Sequence, residues 1–334
     1  MSDLLTTASL SLLIVSFLVG IVVGLTGMGG GALMTPALIL FGIPPAAAVS
    51  NDLVSSALTK SVGAAVHWKS GSPNLKLAGW LVAGSVPTGF AGAFIIRAVA
   101  DTVGGVNTFI KLAIGATLLL TAGTYTLRMY LQMVKNQHDD AAPQPETDPP
   151  VKAIPTLLVG ATGGLLVGLT SVGSGSLIMV AMVLLYPRLS PVRLVGTDLV
   201  QAIPLIVSAA ISHWIVSGVD WAVLIPLTIG GAAGTFFGAR IASWVSSSVI
   251  RRGIVLVLSL TGLTMLHVPP TWVGVIGAAL VVLGPIGWGL VRKIHGLPPF
   301  ETIAAPHTNG KGGGRHTDDP GKATASSTRG DGRP

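Results

Sequence analysis

From Leu4 to Asn51 the chain carries no Asp, Glu, Lys or Arg. Further uncharged stretches run Leu77–Ile96, Leu112–Leu127, Ala153–Pro187, Leu199–Val219, Trp221–Ala239 and Gly253–Val291. A helix crosses a bilayer with roughly 20 mostly apolar residues, so these stretches predict an all-α polytopic membrane protein. Charged residues make up 10% of the chain, against about 25% in an ordinary soluble protein, and mean hydropathy is +0.73. The first run is longer than the roughly 7–15 apolar residues of a signal-peptide core and is read as a retained membrane segment. The chain has no cysteine, which removes disulfides and thiolate metal sites. Its formal net charge is +7, but the basic residues lie between the apolar segments and in the tail. Membrane orientation accounts for them there, and no nucleic-acid partner is expected.

Inside this apolar background one phrase is written twice. GLTGMGGGAL at 24–33 and GLTSVGSGSL at 168–177 agree at six of ten positions. Glycine costs an ordinary helix interior about 1 kcal/mol relative to alanine, so the clustering has to serve something. Residues 8–43 as one helix would reach about 54 Å, and 154–187 about 51 Å, at 1.5 Å per residue. The hydrocarbon core is about 30 Å thick, so each run must break, and the glycines mark where. Non-helical backbone at membrane depth is tolerated where it lines a protein cavity. A break also frees the first N–H groups of the following half-helix, which suits an anion. Close helix packing is the competing use of glycine. It is the better account of Gly20-x-x-x-Gly24, Gly164-x-x-x-Gly168 and Gly234-x-x-x-Gly238.

The phrases align at an offset of 144, which becomes 146 after an insertion near Tyr186–Arg188, so that SNDLV meets GTDLV. Asp52/Asp198, His67/His213 and Trp68/Trp214 then coincide. The expected organisation is a first membrane repeat over 1–130, a polar Pro-rich linker over 131–152 and a second repeat over 153–270. An additional transmembrane helix over 271–291 and a disordered tail over 292–334 follow. Helical segments are expected near 8–26, 31–43, 46–68, 75–97, 107–130, 154–170, 175–187, 192–216, 220–243, 249–267 and 271–291. Each half thus holds one glycine-broken segment.

The paired phrases, the Pro45/Pro191 turns and the SNDLV/GTDLV helix starts resemble the sulfite exporter TauE/SafE family, also called the toluenesulfonate uptake permease family. The resemblance covers roughly residues 8–290. It implies a secondary transporter for small organic or inorganic anions, often sulfur-containing. No cofactor is expected.

The residues expected to bind substrate are Thr26, Gly29, Gly30 and Gly31 from the first phrase. The second phrase contributes Thr170, Ser171, Gly173, Ser174, Gly175 and Ser176, and Lys60 offers a positive charge. Asp52 and Asp198 are candidates for proton or ion coupling, because intramembrane acids are costly and mark pathways. N-capping after a proline turn is an equal alternative for both. Lys60 compensates substrate charge, pairs with Asp52, or snorkels toward the interface. His67 and His213 either shuttle protons or sit beside an interfacial Trp anchor. The other histidines form no metal-ligand spacing.

Arg292 and Lys293 close the last span, so the tail is expected in the cytoplasm and the protein in the inner, cytoplasmic membrane. If 154–187 enters and returns to one face, Lys69, Lys76, Arg128, Lys135 and Lys152 lie inside and Arg97 and Lys111 outside, which favours inverted halves. The expected function is secondary transport of a small anion with proton coupling. A metal-ion exporter and an intramembrane enzyme are the alternatives, and a homodimer stays open. No nucleophile–base constellation or phosphate loop supports catalysis.

Overall fold

The computed structural model describes residues 7–26, 31–67, 73–99, 105–138, 150–173, 175, 177–187, 189, 191–241 and 247–296. Among them run the helices α1 (Thr7–Thr26), α2 (Gly31–Leu40), α3 (Pro45–His67), α4 (Leu75–Val99), α5 (Val106–His138) and α6 (Ala153–Thr170). The remainder are α7 (Leu177–Leu185), α8 (Pro191–Ser217), α9 (Trp221–Ile241), α10 (Ser247–Met265) and α11 (Pro270–Ile294). The described secondary structure is all helical, and α1, α4, α5, α6, α8, α9 and α11 are each long and apolar enough to cross a membrane. The chain is a multi-pass membrane protein. Its helix α5 continues through residues 131–138, which the sequence reading assigns to the linker.

Helix α3 is the exception in polarity. Its 23 residues span about 34 Å, yet they include Ser50, Asn51, Asp52, Ser55, Ser56 and Lys60. Ser50, Asn51, Asp52, Ser55 and Ser56 are all buried. The helix packs against α2, α5, α8 and α9. Its polar side chains reach those neighbours, as where Thr228 Oγ1 donates to Ser55 Oγ at 3.1 Å. Large apolar side chains such as Leu18, Phe94, Leu158, Ile229 and Phe236 stay on exposed surfaces. In a bilayer, acyl chains cover such surfaces. Polar groups in hydrocarbon must instead find partners inside the protein, and this places the polar face of α3 among the other helices.

Two pairs of helices meet through glycine. Helix α1 lies beside α9, where a Cβ at Gly20 or Gly24 would fall on the backbone of Gly231 or Thr235, and one at Gly234 on that of Phe17. Helix α4 lies beside α6, where a Cβ at Gly84 would meet the Leu157 carbonyl and one at Gly164 the Ser85 carbonyl. In both pairs, later residues on one helix meet later residues on the other, so the partners run in the same direction. The spaced pairs Gly20/Gly24, Gly164/Gly168 and Gly234/Gly238 all serve this close approach, as expected for lipid-embedded helices without a hydrophobic drive to associate. Helices α3 and α8 run oppositely, since Ser50 near the start of α3 donates to the Gly218 carbonyl just past the end of α8, at 2.6 Å.

Gly84→Val and Gly234→Val should each destabilise the purified protein by about 1–3 kcal/mol or more, the cost of overpacking, because the obstructing atoms are backbone. At Gly123 a Cβ would meet nothing within 4 Å, so Gly123→Val should leave the thermal midpoint unchanged. Thermal unfolding in detergent checks both.

Candidate functional site

Helix α6 stops inside the second glycine phrase. Its final carbonyls have no N–H one turn ahead, and three local devices serve this end. Ser171 takes a left-handed conformation at φ 60 and its N–H donates to the Val167 carbonyl at 2.7 Å. The Thr170 hydroxyl donates to the Leu166 carbonyl at 2.6 Å and accepts from the Val172 N–H at 3.1 Å. The third device is His213 of α8, whose Nε2 lies 2.7 Å from the Gly168 carbonyl. Gly173 follows at φ 108, a region that favours glycine, Gly175 lies in a turn, and α7 begins at Leu177.

The left-handed turn aims the Ser171 side chain at the other half of the chain. Its Oγ donates to Asp52 Oδ2 at 2.8 Å. Thr35 of α2 donates to the same oxygen at 2.5 Å, and Ser56, one turn along α3, donates to Oδ1 at 3.4 Å. Asp52 is 2% exposed. An ionised carboxylate is an acceptor only, and hydroxyls from three elements converge on it. The approach depends on Gly31 at the start of α2, where a Cβ would collide with the backbone and hydroxyl of Ser171. The two glycine phrases therefore touch at Gly31 and Ser171.

A second polar group lies on α8. Asp198 is half-buried and accepts from Gln201 Nε2 at 3.0 Å. Gln201, fully buried, faces Ser85 of α4 across 3.5 Å. Lys60 is close enough for its ammonium to act on both Asp52 and Asp198, and Arg128 also acts on Asp198. Lys60 thus lies within electrostatic range of carboxylates on both α3 and α8.

Asp52 and Asp198 are each the eighth residue of their helices, since α3 begins at Pro45 and α8 at Pro191. The N-capping alternative is therefore set aside, because a cap precedes the first helical turn. His213 is 1% exposed, well inside α8, and its Nδ1 has no partner among the described residues. The neighbouring Trp214 is 55% exposed and alone fits an interfacial anchor. The Thr170 hydroxyl is committed to its own backbone. Gly29, Gly30, Ser174 and Ser176 lie outside the described residues, as do the side chains of Thr26 and His67. Sequence reasoning missed Thr35 and Ser56. Their signal was spacing: Ser56 is one turn from Asp52, and Thr35 is one turn into the half-helix that Gly31 opens.

At one end of the bundle a cavity of about 750 Å³ is lined by Pro44, Asn51, Asn107, Gly218, Asp220 and Trp221, among others. It collects the starts of α3, α5 and α9 and the end of α8. Asn51, its contact farthest along α3, immediately precedes Asp52.

Thr35→Val keeps the shape and deletes the donor. It should lower stability by about 1.5–3 kcal/mol, the range for hydrogen bonds to charged groups, whereas Thr35→Ser should stay near the parent. Denaturant unfolding of the purified variants reads the difference.

Comparison with known proteins places these residues in context. The family model described as sulfite exporter TauE/SafE matches residues 12–265. The chain is 33% identical to the probable membrane transporter protein YjnA of Bacillus subtilis (strain 168), over 77% of this chain and 100% of that protein. It is 27% identical to the probable membrane transporter protein YdhB of the same organism, over 76% of this chain and 99% of the relative. No solved structure matches the chain.

Proposed function

The chain belongs to the sulfite exporter TauE/SafE family of membrane transporters, and from that premise we propose that it carries a small anion together with a proton. The observation that carries this reading is the convergence on Asp52 of hydroxyls from both glycine phrases' neighbourhoods, Thr35 after the first and Ser171 in the second. Hydroxyl donors that hold a carboxylate are also donors for a carboxylate, sulfonate or other small oxyanion. Both anions cannot use them at once. Two unit charges 4 Å apart repel by about 4 kcal/mol at the effective dielectric of a protein interior. The substrate takes the donors when Asp52 has accepted a proton, and one proton then travels with each anion.

Lys60 supplies the compensating charge, since its ammonium acts on both acids. Asp198, held by Gln201, is the counterpart in the second half and keeps Lys60 placed when Asp52 is neutral. The opposed directions of α3 and α8 support the inverted arrangement of two related halves. In that arrangement the residue 44, 106 and 218 ends share one membrane face, opposite Arg193 and Arg240. The positive-inside rule makes that face the outer one and the tail cytoplasmic. Rocking of one half against the other would then alternate access to the Gly31–Ser171 contact.

Flux in proteoliposomes, with a panel of sulfite, sulfate, thiosulfate, sulfonates and carboxylates, tests the proposal. Asp52→Asn retains the shape and cannot exchange the proton, so it should lose the pH dependence of flux and at least tenfold of the rate. Lys60→Met should weaken the anion's apparent affinity at least tenfold. Parent-like pH dependence in Asp52→Asn would overturn proton coupling through this residue.

A further inference from the structure

Helix α6 does not simply run out at Thr170, because side chains take both ends of its next hydrogen bond. Continuing the helix would pair the Val172 N–H with the Gly168 carbonyl, four residues back. The Val172 N–H donates instead to the Thr170 hydroxyl at 3.1 Å. The Gly168 carbonyl is held by His213 of α8, whose Nε2 lies 2.7 Å away. A carbonyl oxygen only accepts, so Nε2 carries the hydrogen.

This diversion opposes a local preference. Ser171 sits at φ 60, in a region that residues with a side chain seldom occupy, whereas one more right-handed residue would carry no such strain. Gly168 is buried, and α4 lies tightly against its peptide, since a Cβ at Gly92 would fall on the Gly168 carbonyl. Without the imidazole that oxygen would be a buried acceptor left unpaired, which is costly. Winding α6 on by one residue would recover the Val172 N–H for it. The same winding would turn Ser171 right-handed and carry its hydroxyl away from Asp52, which it now reaches at 2.8 Å.

The other ring nitrogen of His213 points to no second role. Nδ1 is buried with no partner among the described residues, and a proton shuttle needs a partner within hydrogen-bond reach.

We propose that His213 is a positioning residue of the coupling site. By occupying the Gly168 carbonyl it stops α6 before Ser171, and so keeps the Ser171 hydroxyl on Asp52. The imidazole itself carries no proton of the transport cycle. Its consequence for transport rests on the proton-coupled reading, while the placement of Ser171 rests on the geometry of the turn. Helix α8, which carries Asp198 and Gln201, thereby also sets the donors around the carboxylate of α3.

A double-mutant cycle on the purified full chain tests this, with stability read by denaturant unfolding. Ser171→Ala removes the donor and His213→Leu removes what holds it in place. The stability lost on Ser171→Ala should fall to about half or less when His213→Leu is already present, because interacting residues are not additive. His213→Gln, whose amide N–H extends as far as Nε2, should restore the parent value. His213→Asn, too short to reach the carbonyl, replaces the leucine variant if that one fails to fold. Sulfite flux in proteoliposomes supplies the functional readout. Ser171→Ala and His213→Leu should displace its pH profile alike, the double variant no further, and His213→Gln should keep the parent profile. Additive losses in the cycle would overturn the assignment, since Ser171 would then be held without His213. Loss of pH dependence in His213→Gln would also overturn it, since the imidazole would then be a proton carrier. Parent-like pH dependence in Asp52→Asn would remove proton coupling while leaving a non-additive cycle, and the placement of Ser171, intact.

Discussion

A carboxylate buried at 2% exposure inside a membrane protein is tolerated only if donors surround it, and the packing around Asp52 follows from that requirement. Its donors come from α2, from the end of α6 and from its own helix. For Ser171 to reach it, α6 must stop early and turn through a left-handed residue. For the two phrases to meet, position 31 must lack a side chain. The ends left by the broken helix then need partners, and His213 supplies one by reaching across from α8 to Gly168. Removing the acid would leave these groups with no shared purpose.

Glycine does two different jobs in this chain. Along α1, α4, α6 and α9 it shortens the distance between helix axes, so that backbones pack without the hydrophobic drive available in water. At Gly31 and Gly173 it permits a close backbone approach and a positive φ. The first use is a matter of spacing along one helix face. The second depends on what lies across the contact. Gly168 belongs to both, since it packs against Gly89 and presents its carbonyl to His213.

This difference explains what was legible in the sequence. Uncharged runs place the helices within a few residues, apart from the end of α5, which continues to His138, because hydrocarbon imposes length and composition on each span independently. The glycine pairs at four-residue spacing read correctly as packing for the same reason. Asp52 was conspicuous as a charge in an apolar run, but the Ser-Asn-Asp triplet imitates a helix cap. Only the start of α3 at Pro45, seven residues before Asp52, shows that the triplet lies inside the helix. Thr35 and Ser56 are ordinary residues until the tertiary fold brings them to one carboxylate. His213 beside Trp214 looked like an interfacial pair. Yet α8 runs on to Ser217, and its rotation buries the histidine while exposing the tryptophan. Local pattern carries no information about that rotation.

In the proposed coupling, the substrate anion and the Asp52 carboxylate compete for one set of hydroxyl donors. Its most direct test is the proton balance of binding itself, measured in weakly buffered detergent solution as a saturating anion is added. Uptake of about one proton per bound anion is expected from the parent and none from Asp52→Asn, with both proteins binding. Equal uptake by the two proteins, or binding by the parent with no uptake at any pH where Asp52 is ionised, would contradict it.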